Sequence, residues 1–138
     1  MNNTGPAKPS MVYWIVGMVS LLWNAFGAWL YTNAKLNPEA TLAAAPPAMR
    51  DYIANMPLWG HIGWSVGIWA SLLGALLLLI RSRHAVTAFL VSGLGAVASY
   101  AAQALAGVLT PAEPAMILGA IALQWWWARK QAAAGNLR

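Results

Sequence analysis

The sequence predicts an all-α fold: a four-transmembrane-helix antiparallel bundle with a short amphipathic helical segment in its first external loop. Of the 138 residues, 60% are hydrophobic and only 8% are charged, which suits one integral membrane domain over residues 1–138 and no separate soluble domain. The uncharged, largely apolar stretches are residues 11–34, 62–80, 85–112 and 114–128. About 20 helical residues cross a hydrocarbon core of about 30 Å, and a helix satisfies its backbone polar groups within the segment.

The first two predicted helices span residues 10–33 and 58–80. Tyr13 and Trp14 open the first helix and Trp29 and Tyr31 close it, as expected of aromatic rings at the two membrane interfaces. Pro57 precedes the second helix, where its missing N–H removes no intrahelical hydrogen bond. The basic residues from position 81 onward end this helix.

The third and fourth predicted helices span residues 85–109 and 111–131. The tight turn before residue 85 makes the second and third helices antiparallel neighbours. The fourth helix opens with a capping-box pattern from Thr110 to Glu113, with Pro111 at its first helical position. It ends in three tryptophans at 125–127, followed by Arg129 and Lys130, which suit the membrane interface and the negative end of the helix dipole.

The external loop, residues 34–56, contains signals for short helices. An N-cap at Asn37 followed by proline and glutamate indicates a helix start, and the two prolines at 46 and 47 break the chain. In the segment that follows, apolar side chains recur at helical spacing: Met49, Tyr52, Ile53 and Met56. We expect this segment to lie on the outer membrane surface as an amphipathic helix.

The basic residues predict the orientation of the chain. Six lie on one side of the predicted membrane, namely Lys8, Arg81, Arg83, Arg129, Lys130 and Arg138, against Lys35 and Arg50 on the other. The positive-inside rule therefore places both termini in the cytoplasm and the long loop outside. The net charge of +5 is distributed over helix ends and not gathered on one face, so it does not predict a nucleic-acid partner.

Several function classes are disfavoured. The absence of cysteine removes disulfides and thiolate chemistry. The acids Glu39, Asp51 and Glu113 fall in loops or at a helix start, which argues against proton-driven antiport. His61 and His84 are separated by roughly 34 Å of helix, too far to clamp one haem. No nucleophile and base pair or metal set appears, so we expect no enzyme activity, metal or obligatory cofactor, although a bound lipid, quinone or pigment is compatible with the sequence.

One set of residues is a candidate ligand site. Depth along each predicted helix places polar and aromatic side chains in the outer half of the bilayer: Asn24, Tyr31, His61, Trp64, Tyr100 and Gln103. Polar side chains in lipid turn toward the bundle interior, so these residues are expected to converge there. Two interpretations stay open, a binding site and a purely structural hydrogen-bond network.

A second set predicts close helix packing. Small residues recur along the first two predicted helices: Gly17, Gly27, Gly63, Gly67, Ser71 and Gly74. Such ladders let helix backbones approach closely in membranes. The pattern does not say whether the partner helix belongs to the same chain. Trp23 and Trp69 lie near the bilayer middle, where they either fill the core or face a flat ligand.

Three segments carry a resemblance to a known group. They are the run from Trp23 to Gly27, the run Met56-Pro57-Leu58-Trp59, and the apolar stretch 67–79 before Arg81. With its W-N-x-x-G first helix and M-P-x-W entry to the second, the chain resembles small four-helix inner-membrane proteins of proteobacteria, sometimes labelled "sugar transporter". Members often carry an acid shortly after W-N-x-x-G, where this chain has Ala28-Trp29-Leu30-Tyr31. The resemblance implies a fold and the bacterial inner membrane, and no catalytic residues.

These observations favour a non-enzymatic membrane protein that acts by association. It is expected to be an accessory or stabilising subunit, packed in the lipid against other membrane subunits or against a second copy of itself. The alternative is a carrier of a small solute or lipophilic ligand such as a quinone, pigment or sugar, with the outer-half residues as its site.

Overall fold

The computed structural model describes residues 8–138, and the part of the predicted domain before Lys8 lies outside the described residues. It contains six helices, α1 (Met11–Leu36), α2 (Pro38–Ala44), α3 (Pro47–Ala54), α4 (Leu58–Leu79), α5 (His84–Leu105) and α6 (Ala112–Ala133). No strand occurs in this described part of the chain. The all-α class predicted from the sequence is therefore confirmed.

Three of the described helices, α1, α4 and α5, are long and apolar enough to cross a membrane. This finding is consistent with a membrane protein. α6 has the same length as α4 and α5, at 22 residues. It combines an acid in its first turn with Gln124, Gln131, Arg129 and Lys130, so its sequence is less apolar than that of the other three.

Several predicted helix boundaries were wrong. α1 continues to Leu36, beyond the expected end at 33. α5 ends at Leu105 and not at 109, because Gly107 adopts a left-handed backbone with φ 74°. There the Val108 N–H donates to the Gln103 carbonyl at 3.0 Å and closes the helix end.

The predicted capping box of α6 is also wrong, whereas Asn37 is the N-cap residue of α2, as predicted. Neither helix has a side-chain cap hydrogen bond. Asn37 precedes α2 as expected, but its amide donates to the Asn33 side chain at 2.9 Å. α6 begins at Ala112, preceded by Pro111 in helical backbone geometry, so the Thr110 capping box does not form. The Glu113 carboxylate instead accepts a hydrogen bond from Tyr100, at 3.4 Å.

α4 and α5 pack at backbone contact distance. A Cβ placed on Gly63 would lie 2.7 Å from the Gly95 carbonyl oxygen and 2.9 Å from the Ser99 nitrogen. One placed on Gly74 would lie 2.8 Å from the Phe89 ring. The residue numbers of the contacting partners on α5 decrease as those on α4 increase, so the two helices run antiparallel. Glycine is therefore required at position 63 by the closeness of the two backbones and at position 74 by the Phe89 ring.

α1 and α6 pack along the sides of this pair. A Cβ on Gly17 would meet the Leu79 side chain at 2.7 Å, and one on Gly27 would lie 3.7 Å from Ile68. The buried Tyr13 hydroxyl donates to the Leu78 carbonyl at the same end of α4. These contacts make α1 antiparallel to α4. On the other side, α6 packs against α5.

The residues after α6 cover the turn between α4 and α5. Gly135 has φ 81°, which reverses the chain toward that turn. The Arg138 N–H donates to the Arg81 carbonyl at 2.8 Å, and the Arg83 N–H donates to the Arg138 carbonyl at 3.0 Å. Leu137 is buried in the hydrophobic core cluster that also contains Phe89. This contact was not anticipated from the sequence.

Candidate functional site

The loop end of the molecule is the end where α1 and α5 finish, α4 and α6 begin, and α2 and α3 lie. On its α1 and α4 side, four residues form a cation and aromatic cluster. The Lys35 Nζ atom lies 3.1 Å from His61 Nδ1. The same atom lies 5.6 Å from the Tyr31 ring centre and 5.0 Å from the Trp64 ring centre. The two rings meet edge to face at 4.6 Å.

Helix geometry explains why these four side chains meet. Tyr31 and Lys35 are four residues apart on α1, and His61 and Trp64 are three apart on α4, so each pair lies on one face of its helix. The antiparallel packing of α1 and α4 then brings the two faces together. We name the group Tyr31, Lys35, His61 and Trp64 the loop-end cluster.

The hydrogen bond between Lys35 and His61 fixes the histidine tautomer. A lysine ammonium has donors and no acceptor, so His61 Nδ1 must accept. The ring proton of His61 is therefore on Nε2. The positive charge of Lys35 faces the negative π faces of two rings. No carboxylate occurs among the described partners of Lys35.

The structure brings only three of the six candidate ligand residues together, namely Tyr31, His61 and Trp64. Asn24 lies elsewhere and donates to the Gln124 side chain on α6 at 2.6 Å, with both residues more than nine-tenths buried. Gln124 in turn donates to the Ala120 carbonyl at 3.1 Å. This pair is a hydrogen bond between α1 and α6 inside the protein.

The remaining two candidates, Tyr100 and Gln103, both lie on α5. The Tyr100 hydroxyl donates to the Glu113 carboxylate at 3.4 Å, which joins α5 to the start of α6. Gln103 is half-buried, and its backbone carbonyl takes part in closing the end of α5. The expected single outer-half network is therefore divided among three separate helix contacts.

Five of the six predicted packing residues lie at contacts between helices. Gly63, Gly67 and Gly74 on α4 face α5, and Gly17 and Gly27 on α1 face α4. The remaining member, a buried serine at position 71 of α4, donates its hydroxyl to the Ile68 carbonyl at 2.9 Å. The partner of the α4 ladder is thus α5 of the same chain.

A groove of about 540 Å³ opens on the other side of the loop end, between α3, the start of α4 and the end of α5. Tyr52 lies in its wall and is only 6% exposed. Its hydroxyl has no hydrogen-bond partner in the described part of the protein. Burial raises the pKa of Tyr52 above its ordinary value.

Sequence reasoning missed Lys35 and Gln124 as members of these contacts. Lys35 was counted only as an orientation signal, although its position one helical turn after Tyr31 places it on the same face. Gln124 was read within an apolar stretch, although an amide in such a stretch needs a hydrogen-bond partner. The signal for Lys35 was its spacing from Tyr31, and the signal for Gln124 was its residue type.

Comparisons with family models, curated proteins and solved structures find no match to this chain. Among the described residues, no group of three or more His, Asp or Glu side chains is arranged to hold a metal ion. The function is therefore inferred from the geometry alone.

Proposed function

We propose that the chain is an inner-membrane protein in which α1, α4, α5 and α6 all cross the bilayer, with both termini in the cytoplasm. At 22 residues, α6 is roughly 33 Å long, enough to cross the hydrocarbon core. Its Asn24–Gln124 contact with α1 supports a closed bundle. The basic residues Arg81, Arg83, Arg129 and Lys130 lie at the end opposite the loop end, which carries Lys35 and Arg50. This asymmetry favours a cytoplasmic position for the basic end.

Within the membrane, we propose that the protein acts by association and not by catalysis. The observation that supports this most is the outer face of α1. Trp23, near the helix middle, is 42% exposed. One turn further along, the Phe26 and Trp29 rings stack on each other with their centres 6.0 Å apart. An indole N–H in hydrocarbon lacks a hydrogen-bond partner, so tryptophan favours interfaces where one is provided. At this depth, a polar side chain on a helix of another subunit would provide one.

The interior of the bundle supports the same proposal. Its packing ladder is used within the chain, between α4 and α5, and Asn24 and Gln124 satisfy one another. The Asn24–Gln124 pair and the Ser92 hydroxyl, which donates to the Gly67 carbonyl at 2.7 Å, join helices of the same chain, as expected of a rigid packing unit. The surface that we propose for a second subunit is the aromatic outer face of α1.

A site-specific photocrosslinking experiment tests this proposal. A photoreactive residue at position 23 is compared with one at Leu94, which is 65% exposed on α5. We expect one discrete protein adduct from position 23, identified by mass spectrometry and matched by a stoichiometric complex in mild detergent. Equal labelling from both positions, or a chain that purifies alone, contradicts association through α1.

The carrier remains the second candidate function, and the loop-end cluster favours it. Lys35 and His61 present hydrogen-bond donors beside two aromatic rings, a combination suited to a polar ligand. For a carrier, His61→Ala should abolish solute flux in reconstituted vesicles while the helical circular dichroism is kept. For an association subunit, Gly63→Leu should be the more damaging change, because it separates α4 from α5.

A further inference from the structure

We propose that the loop-end cluster is a binding site for a phosphoryl group, supplied by a phospholipid head group in the outer leaflet. The proposal starts from hydrogen-bond donors. Lys35 has three N–H donors, and its contact with His61 Nδ1 uses one of them. The His61 tautomer leaves Nε2–H as a further donor. The cluster thus offers a positive charge and several N–H groups, which is what an oxyanion requires.

The helix that carries His61 adds to the positive potential. His61 is the fourth residue of α4, whose first turn contains no acidic residue and has no side-chain cap. The N–H groups at the start of a helix carry the positive end of its dipole. A bound anion near His61 is therefore stabilised by α4 as well as by Lys35.

The other cation at the loop end shows why Lys35 is distinctive. Two of the five N–H donors of the Arg50 guanidinium bond within the chain: Nε donates to the Ala45 carbonyl at 2.7 Å, and Nη2 donates to the Ala43 carbonyl at 3.3 Å. Arg50 therefore holds the turn between α2 and α3 together. Lys35 makes no such backbone bond, and its ammonium group faces His61 and two aromatic rings.

The position of the cluster indicates the source of the phosphoryl group. Lys35 lies in the last turn of α1, and Tyr31 lies one turn deeper beside Trp64. Aromatic rings with a polar edge mark the boundary between hydrocarbon and head groups, which is where a lipid phosphate lies. The inference rests on the membrane location proposed above. Inorganic phosphate is the alternative source of the same chemistry.

The test uses the full chain, purified in a non-ionic detergent and examined by native mass spectrometry. It is titrated separately with dioleoyl phosphatidylglycerol, with dioleoylglycerol, which has the same acyl chains and no phosphate, and with inorganic phosphate. We expect the wild type to retain phosphatidylglycerol about tenfold more tightly than dioleoylglycerol, since a charge-assisted hydrogen bond has about that effect. Lys35→Met should remove this preference, and Lys35→Arg should keep most of it.

Arg50→Met is the matched control, because it removes a cation of the same loop end that lies outside the loop-end cluster. It should bind phosphatidylglycerol as the wild type does. If Lys35→Met does not fold, Lys35→Gln and His61→Phe test the same contacts. Lysine-dependent binding of inorganic phosphate alone, without a preference among the lipids, overturns the assignment to a lipid.

A wild type that does not distinguish the two lipids, or a Lys35→Met variant that binds like the wild type, overturns the site. Alkaline carbonate extraction of native membranes separates this failure from that of the proposed location. Release of the protein by carbonate contradicts the membrane proposal. Retention in the membrane together with lysine-independent lipid binding contradicts the phosphoryl site alone.

Discussion

Replacing Gly63 with alanine should destabilise the protein by forcing α4 and α5 apart. The added methyl group would lie 2.7 Å from the Gly95 carbonyl oxygen and 2.9 Å from the Ser99 nitrogen. Both are backbone atoms held in a helix, so no rotamer change relieves the overlap. Gly119→Ala is the matched control, because a Cβ there has no neighbour within 4 Å in the described structure.

The expected size follows from two opposing effects. Overpacking a well-packed contact costs about 1–3 kcal/mol. Glycine to alanine in a helix also gains up to about 1 kcal/mol in helix propensity. Gly119→Ala receives only this gain, and comparing the two variants cancels it. Gly63→Ala should therefore have a free energy of unfolding about 1–3 kcal/mol below that of Gly119→Ala.

Other glycines extend the comparison into a ranked series. Gly17→Ala should be milder than Gly63→Ala, because the atom it meets at 2.7 Å is the end of the flexible Leu79 side chain. Gly27→Ala, with Ile68 at 3.7 Å, should have about the same stability as Gly119→Ala, because this distance is an ordinary van der Waals contact. Reversible unfolding in mixed micelles, followed by circular dichroism, measures each variant. Equal stability of Gly63→Ala and Gly119→Ala would refute the close backbone approach.

Three further predictions concern single contacts. Asn24→Ala and Gln124→Ala should each destabilise the protein. Their double-mutant cycle should give a coupling free energy of about 0.6–2 kcal/mol in the same unfolding assay. If the two effects are additive, the two side chains do not bond to each other. Leu137→Ala should lower the free energy of unfolding by about 2 kcal/mol, because the side chain is buried. Leu123→Ala is the control and should have little effect, because Leu123 is 67% exposed. Equal losses of stability in the two variants would disprove the packing of residue 137. Tyr52→Phe should keep or raise stability at pH 7, because it removes a buried hydroxyl without a described partner. Burial raises the pKa of Tyr52, so the folded state favours the neutral phenol. The part of the free energy of unfolding that depends on this protonation is fully present below the unfolded pKa of about 10. It is lost as pH rises through the folded pKa. Stability measured from pH 8 to 12 should therefore fall less steeply for Tyr52→Phe, and parallel curves would contradict this.

The sequence predicted the helical elements better than their contacts. Apolar length predicted α1, α4 and α5, because crossing a bilayer requires a continuous helix of about 20 residues. The ends were less accurate, since the end of α5 depends on the left-handed backbone at Gly107 and not on composition. The predicted Thr110 cap failed because Pro111 is already in helical geometry.

The candidate site was predicted only in part, for a geometric reason. Distance along a helix gives depth in a membrane, so Asn24 and His61 could be assigned to the outer half. Depth does not give the direction in which each side chain points or the order of helices around the bundle. Asn24 faces α6 and bonds to Gln124, whereas His61 faces α1 and contacts Lys35. Only the assembled helices decide between these partners.

Single-cysteine labelling tests the central claim, that four helices cross the membrane with the basic end in the cytoplasm. The chain contains no cysteine, so each substitution is the sole reactive thiol. Cysteine replaces Ala43 in α2, Ser82 in the α4–α5 turn, Thr110 before α6 or Ala134 after it, and intact cells receive a membrane-impermeant maleimide. We expect positions 43 and 110 to react from outside, and positions 82 and 134 only after permeabilisation. Reaction of position 134 from outside together with position 110 would contradict the fourth crossing, and reaction of position 82 from outside would contradict the orientation.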